Sequence, residues 1–127
     1  FTSDLLKCMT SNVEVSFVKV SSYIGTATTG RVDELIGLNT DLKQRSVIIL
    51  EDIVDTGITI DKVLTLLKTQ DVDSIEICTL LFKPEAFLGK NRPKYIGMEI
   101  PNKFVVGYGL DYNELGRNLK EIYQLID

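Results

Sequence analysis

The segment SVIILEDIVDTGITIDKVLTLLKT (residues 46–69) changes its apolar period midway, and that change limits what the chain can fold into. After Ser46, Val47 to Leu50 form a continuous β-branched and aliphatic run, the pattern of a strand covered on both faces. From residue 59 to 69 the period lengthens, and Ile60, Val63, Leu64 and Leu67 fall on one face of a helix. Between strand and helix stand Glu51, Asp52 and Asp55, with one glycine and two threonines. Carboxylates this close repel one another, so a cationic or hydroxyl-rich group is expected to meet them.

The same reading extends along the chain. FTSDLLKCMT has helical spacing at positions 1, 5, 6 and 9, and VEVSFVKV alternates around Val13, Val15, Phe17 and Val20 as a strand would. Residues 21–44 are rich in Gly, Thr and Ser and read as a long loop, of the kind that is functional or mobile in a compact domain. SIEICTLLF and PKYIGMEI are further strands. The stretch from KFVV to YQLI reads as a short strand, a polar turn and a closing helix. Strands alternating with helices indicate a single α/β domain on a mostly parallel, twisted sheet flanked by helices. In such sheets ligands bind beyond the carboxyl ends of the strands.

Composition narrows the chemistry. There is no histidine among the 127 residues, which removes Ser-His-Asp and Cys-His nucleophilic schemes and histidine zinc sites. Catalysis must use carboxylates, hydroxyls, Lys, Arg, backbone amides or a hard metal held by oxygen. The net charge of −4 and the scattered Lys and Arg argue against a nucleic-acid-binding face. No apolar run reaches transmembrane length and no signal peptide is visible, so no membrane partner and a cytoplasmic location are expected. Cys8 and Cys78 lack metal-ligand spacing and read as buried, reduced thiols.

The turn after the acidic pair offers two functions at once. Gly57 permits a tight turn, and the amides entering the helix, with the Thr56 and Thr59 hydroxyls, can cradle a phosphate at the positive helix end. A ribose 5-phosphate matches both features, its phosphate at the helix start and its vicinal hydroxyls on the acids. The plainer alternative is a helix N-cap with two solvated carboxylates beside it.

VIILEDIVDTGITI resembles the phosphoribosyl pyrophosphate-binding signature of the type I phosphoribosyltransferases. KVSSYIGTATTG, LLFKPE and YIGMEIPNKFVVGYGLDYNELGR are similar to segments of the hypoxanthine-guanine phosphoribosyltransferases, in the family's order and from about Phe1 to Tyr123. The resemblance implies the type I phosphoribosyltransferase fold and a purine-salvage enzyme. Such an enzyme moves ribose 5-phosphate from phosphoribosyl pyrophosphate to N9 of hypoxanthine or guanine, giving IMP or GMP, with Mg²⁺. It implies that Glu51 and Asp52 bind the ribose hydroxyls, in some states through magnesium, and that Asp55 is the general base at purine N7. Asp55, Thr56, Gly57, Ile58 and Thr59 would form the 5′-phosphate loop. Lys83 would donate to the exocyclic oxygen of the purine, Phe104 would stack on the base and Val105 would read its edge through the backbone. Asp111 would make a second magnesium contact beside the purine, and Arg117 a pyrophosphate contact. Ser22 and Tyr23 would belong to a mobile lid over residues 21–45. A homodimer or homotetramer is implied as well.

Two departures from the pattern stand out. Ile58 replaces a lysine common in relatives, which leaves that part of the phosphate loop to backbone amides. The family's pyrophosphate loop, a Leu-Lys-Gly type segment after the first core strand, is expected ahead of Phe1. Residues 1–127 therefore read as one domain lacking its N-terminal strand, helix and that loop. A receiver-type signalling domain shares an acidic pair and a Lys-Pro, but too few residues separate them, and no phospho-acceptor Asp ends an intervening strand. A nucleotide-sensing regulator on the same fold, or a xanthine-preferring enzyme, remains as a further reading.

Overall fold

The computed structural model describes residues 1–24 and 31–126. In chain order the elements are α1 (Thr2–Cys8), β1 (Lys19–Ile24), β2 (Arg31–Ile36), β3 (Ser46–Val54), α2 (Ile58–Lys68), β4 (Ser74–Phe82), β5 (Tyr95–Glu99), β6 (Val105–Val106) and β7 (Tyr123–Gln124). The centre is a parallel sheet in the order β3-β4-β5, accompanied by antiparallel pairs β1-β2 and β6-β7. The expected α/β class is therefore observed.

The period change at residues 46–69 produces the core. Ile60, Val63, Leu64 and Leu67 are all buried on α2, at the spacing that turns one helical stripe inward. Val54, Ile60, Leu64, Ile77 and Phe82 form the buried cluster, with Ile49, Ile75, Phe87 and Ile96 packed against it. The helix covers one face of the sheet. Ile48, one residue away from the inward-facing Ile49, is 51% exposed, so β3 is not covered on both faces as its composition suggests.

β3 and β4 pair in parallel from Ser46↔Ser74 to Val54↔Phe82. One further bond, from the Lys83 amide to the Val54 carbonyl at 3.0 Å, carries the ladder past the strand ends. That register sets Asp55 and Lys83 side by side where the two strands stop. Gly97 in β5 supports the neighbouring pairing, because a Cβ there would meet the Leu80 carbonyl oxygen at 2.8 Å.

Several sequence expectations need correction. The alternation from Val13 to Phe17 is not a strand; these residues precede β1 without regular structure, and Phe17 is 77% exposed. A period of two specifies a strand only when a partner takes up its backbone groups. The supposed loop at 21–44 contains most of β1 and all of β2, paired antiparallel from Lys19↔Ile36 to Ile24↔Arg31. The tip of the proposed lid, residues 25–30, lies outside the described residues. No helix closes the described chain. Asn113, Glu114 and Gly116 take positive φ within the polar turn, and the segment expected to be helical returns instead through β7 to β6. Both cysteines are free, but Cys8 is exposed and Cys78 half-buried.

Phe82 is completely buried and meets Phe87 edge-on, with ring centroids 5.2 Å apart. Phe82→Ala should destabilise the domain by about 3–5 kcal/mol, read as a lower midpoint in urea unfolding. A loss under about 1 kcal/mol would show that this ring does not anchor the sheet to its covering elements.

Candidate active site at the ends of β3 and β4

Glu51 and Asp52 lie inside β3, not after it, because the strand continues through Ile53 and Val54. Glu51 sits opposite Thr79 in the ladder, and both acids are half-buried. Burial pushes the Glu51 carboxyl above the usual carboxylate range, and the neighbouring Asp52 charge pushes it further. Asp52 turns one oxygen onto the Ile53 amide at 2.8 Å.

Beyond Val54 the chain leaves the sheet and turns into α2. Gly57 takes φ 78° at the helix N-cap position, a conformation that suits glycine. A Cβ at Gly57 would also strike the Phe87 ring, 2.3 Å from its Cε2 atom. The glycine is therefore fixed twice, by backbone angle and by lack of space. The opening amides of a helix have no intrahelical acceptor, and here they lie beside the exposed Thr56 and Thr59. Ile58 is 52% exposed, so the residue that departs from the family pattern faces solvent and not the core.

Lys83 is only 6% exposed, and its ammonium reaches the Asp55 carboxylate at 2.8 Å. The resemblance gives these two residues separate roles; the strand register brings them into contact.

The third part of the site comes from the C-terminal segment. Phe104 is 50% exposed and meets Tyr112 edge-on, with centroids 5.6 Å apart and planes at 80°. Tyr112 thus braces the ring that the resemblance assigns to base stacking. Its role was not legible beforehand, since Tyr112 sits in what reads as a plain polar turn. Val105 lies in β6 opposite Gln124. Asp111 is paired with Arg117 at 2.6 Å and accepts the Glu114 amide at 2.8 Å. Arg117 also donates to the Gly109 carbonyl at 2.8 Å. Both residues brace their own turn. Ser22 and Tyr23 lie in β1, opposite Asp33 and Val32.

No cluster of three or more His, Cys, Asp or Glu suited to a metal occurs among the described residues. Glu51, Asp52 and Asp111 therefore do not combine into one protein cage. The Glu51–Asp52 pair does fit magnesium, which is typically held by one or two carboxylates together with substrate oxygens.

The strand–acid pair–glycine turn–helix unit, with a lysine just after the next parallel strand, has the layout that the resemblance to phosphoribosyltransferases leads one to expect. Residues 1–113 match the phosphoribosyl transferase domain model, and the chain belongs to that family. Among its relatives is a hypoxanthine-guanine phosphoribosyltransferase of Staphylococcus aureus, 45% identical over 96% of this chain and 69% of the relative. A solved hypoxanthine phosphoribosyltransferase of the same species superposes with a TM-score of 0.87 at 41% identity, covering 98% of this chain and 68% of that one. The Trypanosoma cruzi hypoxanthine phosphoribosyltransferase, solved with its product IMP, superposes with a TM-score of 0.84 at 34% identity, covering 98% and 65%. These matches bear out the expected fold and the purine-salvage phosphoribosyltransferase class.

Folded Glu51 holds its proton more tightly than the unfolded chain does, so stability tied to the protonated form is fully present below the unfolded value. It is lost as the pH rises through the folded value. Glu51→Gln should therefore raise the melting temperature at neutral pH, with the gain disappearing in acid. A gain independent of pH, or a loss at neutral pH, would contradict this assignment of burial strain to Glu51.

Proposed function

We propose that this chain transfers ribose 5-phosphate from phosphoribosyl pyrophosphate to N9 of hypoxanthine or guanine, forming IMP or GMP and releasing pyrophosphate. The contact that carries the reading is Lys83 on Asp55, directly beside the Gly57 turn. A 6-oxopurine that carries its proton on N7 presents the O6 acceptor and the N7–H donor side by side on one edge. A buried ammonium beside a carboxylate suits that edge: Lys83 donates to O6, and Asp55 takes the proton that leaves N7. Adenine presents an amino donor at position 6, so Lys83 would face a donor without an acceptor, and adenine is disfavoured.

The remaining residues divide the substrate between them. The amides from Thr56 to Thr59 hold the 5′-phosphate at the start of α2. Glu51 and Asp52 take the ribose hydroxyls, and would hold magnesium together with substrate oxygens; that ion, when bound, offsets charge on the departing pyrophosphate. Phe104, braced by Tyr112, stacks on the purine while Val105 offers its backbone to the edge. As N9 bonds to the ribosyl carbon, the bond from that carbon to the pyrophosphate oxygen breaks, and Asp55 accepts the N7 proton. Its negative charge also stabilises the cationic ribosyl carbon in passing. Asp111 and Arg117 are assigned to magnesium and pyrophosphate; they must exchange their mutual ion pair for those contacts. Closure of the segment bearing Ser22 and Tyr23 would exclude water from the reacting centre. Cytoplasmic purine salvage by a homodimer or homotetramer completes the proposal. Among the described residues no helix is long and apolar enough to cross a membrane.

The test is incubation of the intact protein with phosphoribosyl pyrophosphate, Mg²⁺ and each purine base in turn. Formation of IMP and GMP, with little AMP, is expected. Asp55→Asn should lower kcat by about 10²–10⁴-fold while phosphoribosyl pyrophosphate still binds. No nucleotide from any base would sink the enzymatic reading. Unchanged turnover in Asp55→Asn would remove Asp55 as the base.

A further inference from the structure

The connection from β4 to β5, residues 83–94, does more than return the chain to the sheet. It starts at Lys83 on Asp55 and then crosses the front of α2. The amides of Leu88 and Gly89 both donate to the Thr56 carbonyl, at 2.9 and 3.0 Å. The Phe87 ring lies over Gly57 and against Phe82, leaving no room for a Cβ at Gly57 or Gly89. One helical turn further on, Asp61 accepts two bonds, from the Lys90 amide at 2.8 Å and from the Asn91 side-chain amide at 2.6 Å. Asn91 first, then the Lys90 amide, hold the Asp61 carboxyl below the usual carboxylate range.

These contacts form a chain of restraints around the turn that carries the phosphate amides. A carboxylate in the first helical turn ordinarily does no more than favour the positive helix end. Asp61 instead spends both oxygens on a loop some thirty residues away in sequence, the separation being 29 residues to Lys90 and 30 to Asn91. The loop it holds also supplies the lysine at the purine end of the site.

We infer that Asp61 is a positioning residue for the 5′-phosphate loop: by clasping Lys90 and Asn91 it locks the β4–β5 connection against the start of α2. The phosphate turn is thereby held in shape before substrate arrives, while Lys83 keeps its own place through its backbone bond to Val54 and its pair with Asp55. The inference rests on the proposed function, because it presumes that the turn binds the substrate phosphate. Its physical basis is preorganisation: a turn already fixed in its binding shape loses less conformational freedom on binding. Without the clasp, phosphoribosyl pyrophosphate must order the turn itself, whereas the free purine, which touches neither Asp61 nor the turn amides, is unaffected.

The experiment is steady-state kinetics of the intact protein and its variants, with KM for phosphoribosyl pyrophosphate and for hypoxanthine measured separately, alongside melting temperatures. Asp61→Ala should raise KM for phosphoribosyl pyrophosphate about tenfold, in line with the loss of two bonds to a charged acceptor, and leave KM for hypoxanthine unchanged. Asp61→Asn keeps an acceptor for the Lys90 amide and should recover most of that loss. Asn91→Ala, which removes one of the two bonds, should give an intermediate value. It also decides the matter should Asp61→Ala fail to fold. Glu85→Ala, an exposed position on the same connection, serves as the control with wild-type constants. A lower melting temperature with both KM values unchanged would overturn the inference, as would an equal rise in both. A wild-type protein that forms no IMP would instead overturn the proposed function, so the two failures are distinguishable.

Discussion

A lysine ammonium with 7% of its side chain exposed needs an anionic partner, and here that partner is a carboxylate 28 residues earlier in the chain. The pairing depends on strand register. Parallel pairing of β3 with β4, ending at Val54↔Phe82 and extended by the Lys83 amide, leaves Asp55 and Lys83 adjacent at the carboxyl ends of the two strands. A slip of one residue would send Lys83 to the opposite face. Removing one partner from a fully buried pair costs about 3–5 kcal/mol. Asp55 keeps 46% of its side chain exposed, which puts this pair below that range and leaves the carboxylate accessible to a substrate. The arrangement is thus firm at the lysine and open at the aspartate.

Around this pair the site is assembled from pieces with separate structural causes. The glycine turn exists because φ at Gly57 is positive and the Phe87 ring excludes any side chain there. The acidic pair is held in β3 by the sheet ladder, at the cost of raising the Glu51 titration. Phe104 keeps an exposed ring because Tyr112 supports it edge-on from the following turn. Under the proposed function, substrate groups of opposite character, phosphate and hydroxyl on one side and purine edge on the other, would meet parts that the fold has already separated. The crowded carboxylates are tolerable for that reason: Asp55 is paired with Lys83, and Asp52 rests on a backbone amide.

Legibility from sequence followed the range of the physics involved. Local periodicity found α1, α2 and the core strands, because helical stripes and β-branched runs act over a few residues. The resemblance supplied the candidate residues, and the fold sets Asp55, Gly57 and Lys83 together at the carboxyl ends of β3 and β4. Contacts between distant segments were not readable. Nothing local in the sequence singles out Asp61 or Phe87, whose partners lie far along the chain or across the turn. Val13 to Phe17 carried a strand pattern without a strand, since alternation says nothing about whether a partner is present. The closing helix failed for a similar reason: the segment after the polar turn runs into β7, where Tyr123 and Gln124 pair with Val106 and Val105.

The most direct measurement of the central claim is a crystal structure of the intact protein with IMP, pyrophosphate and Mg²⁺. The Lys83 ammonium should lie within hydrogen-bonding distance of the purine O6, the Asp55 carboxylate should face N7, and the phosphate should sit on the amides that open α2. A purine bound elsewhere, with the Lys83–Asp55 pair intact and touching no part of the nucleotide, would contradict the claim.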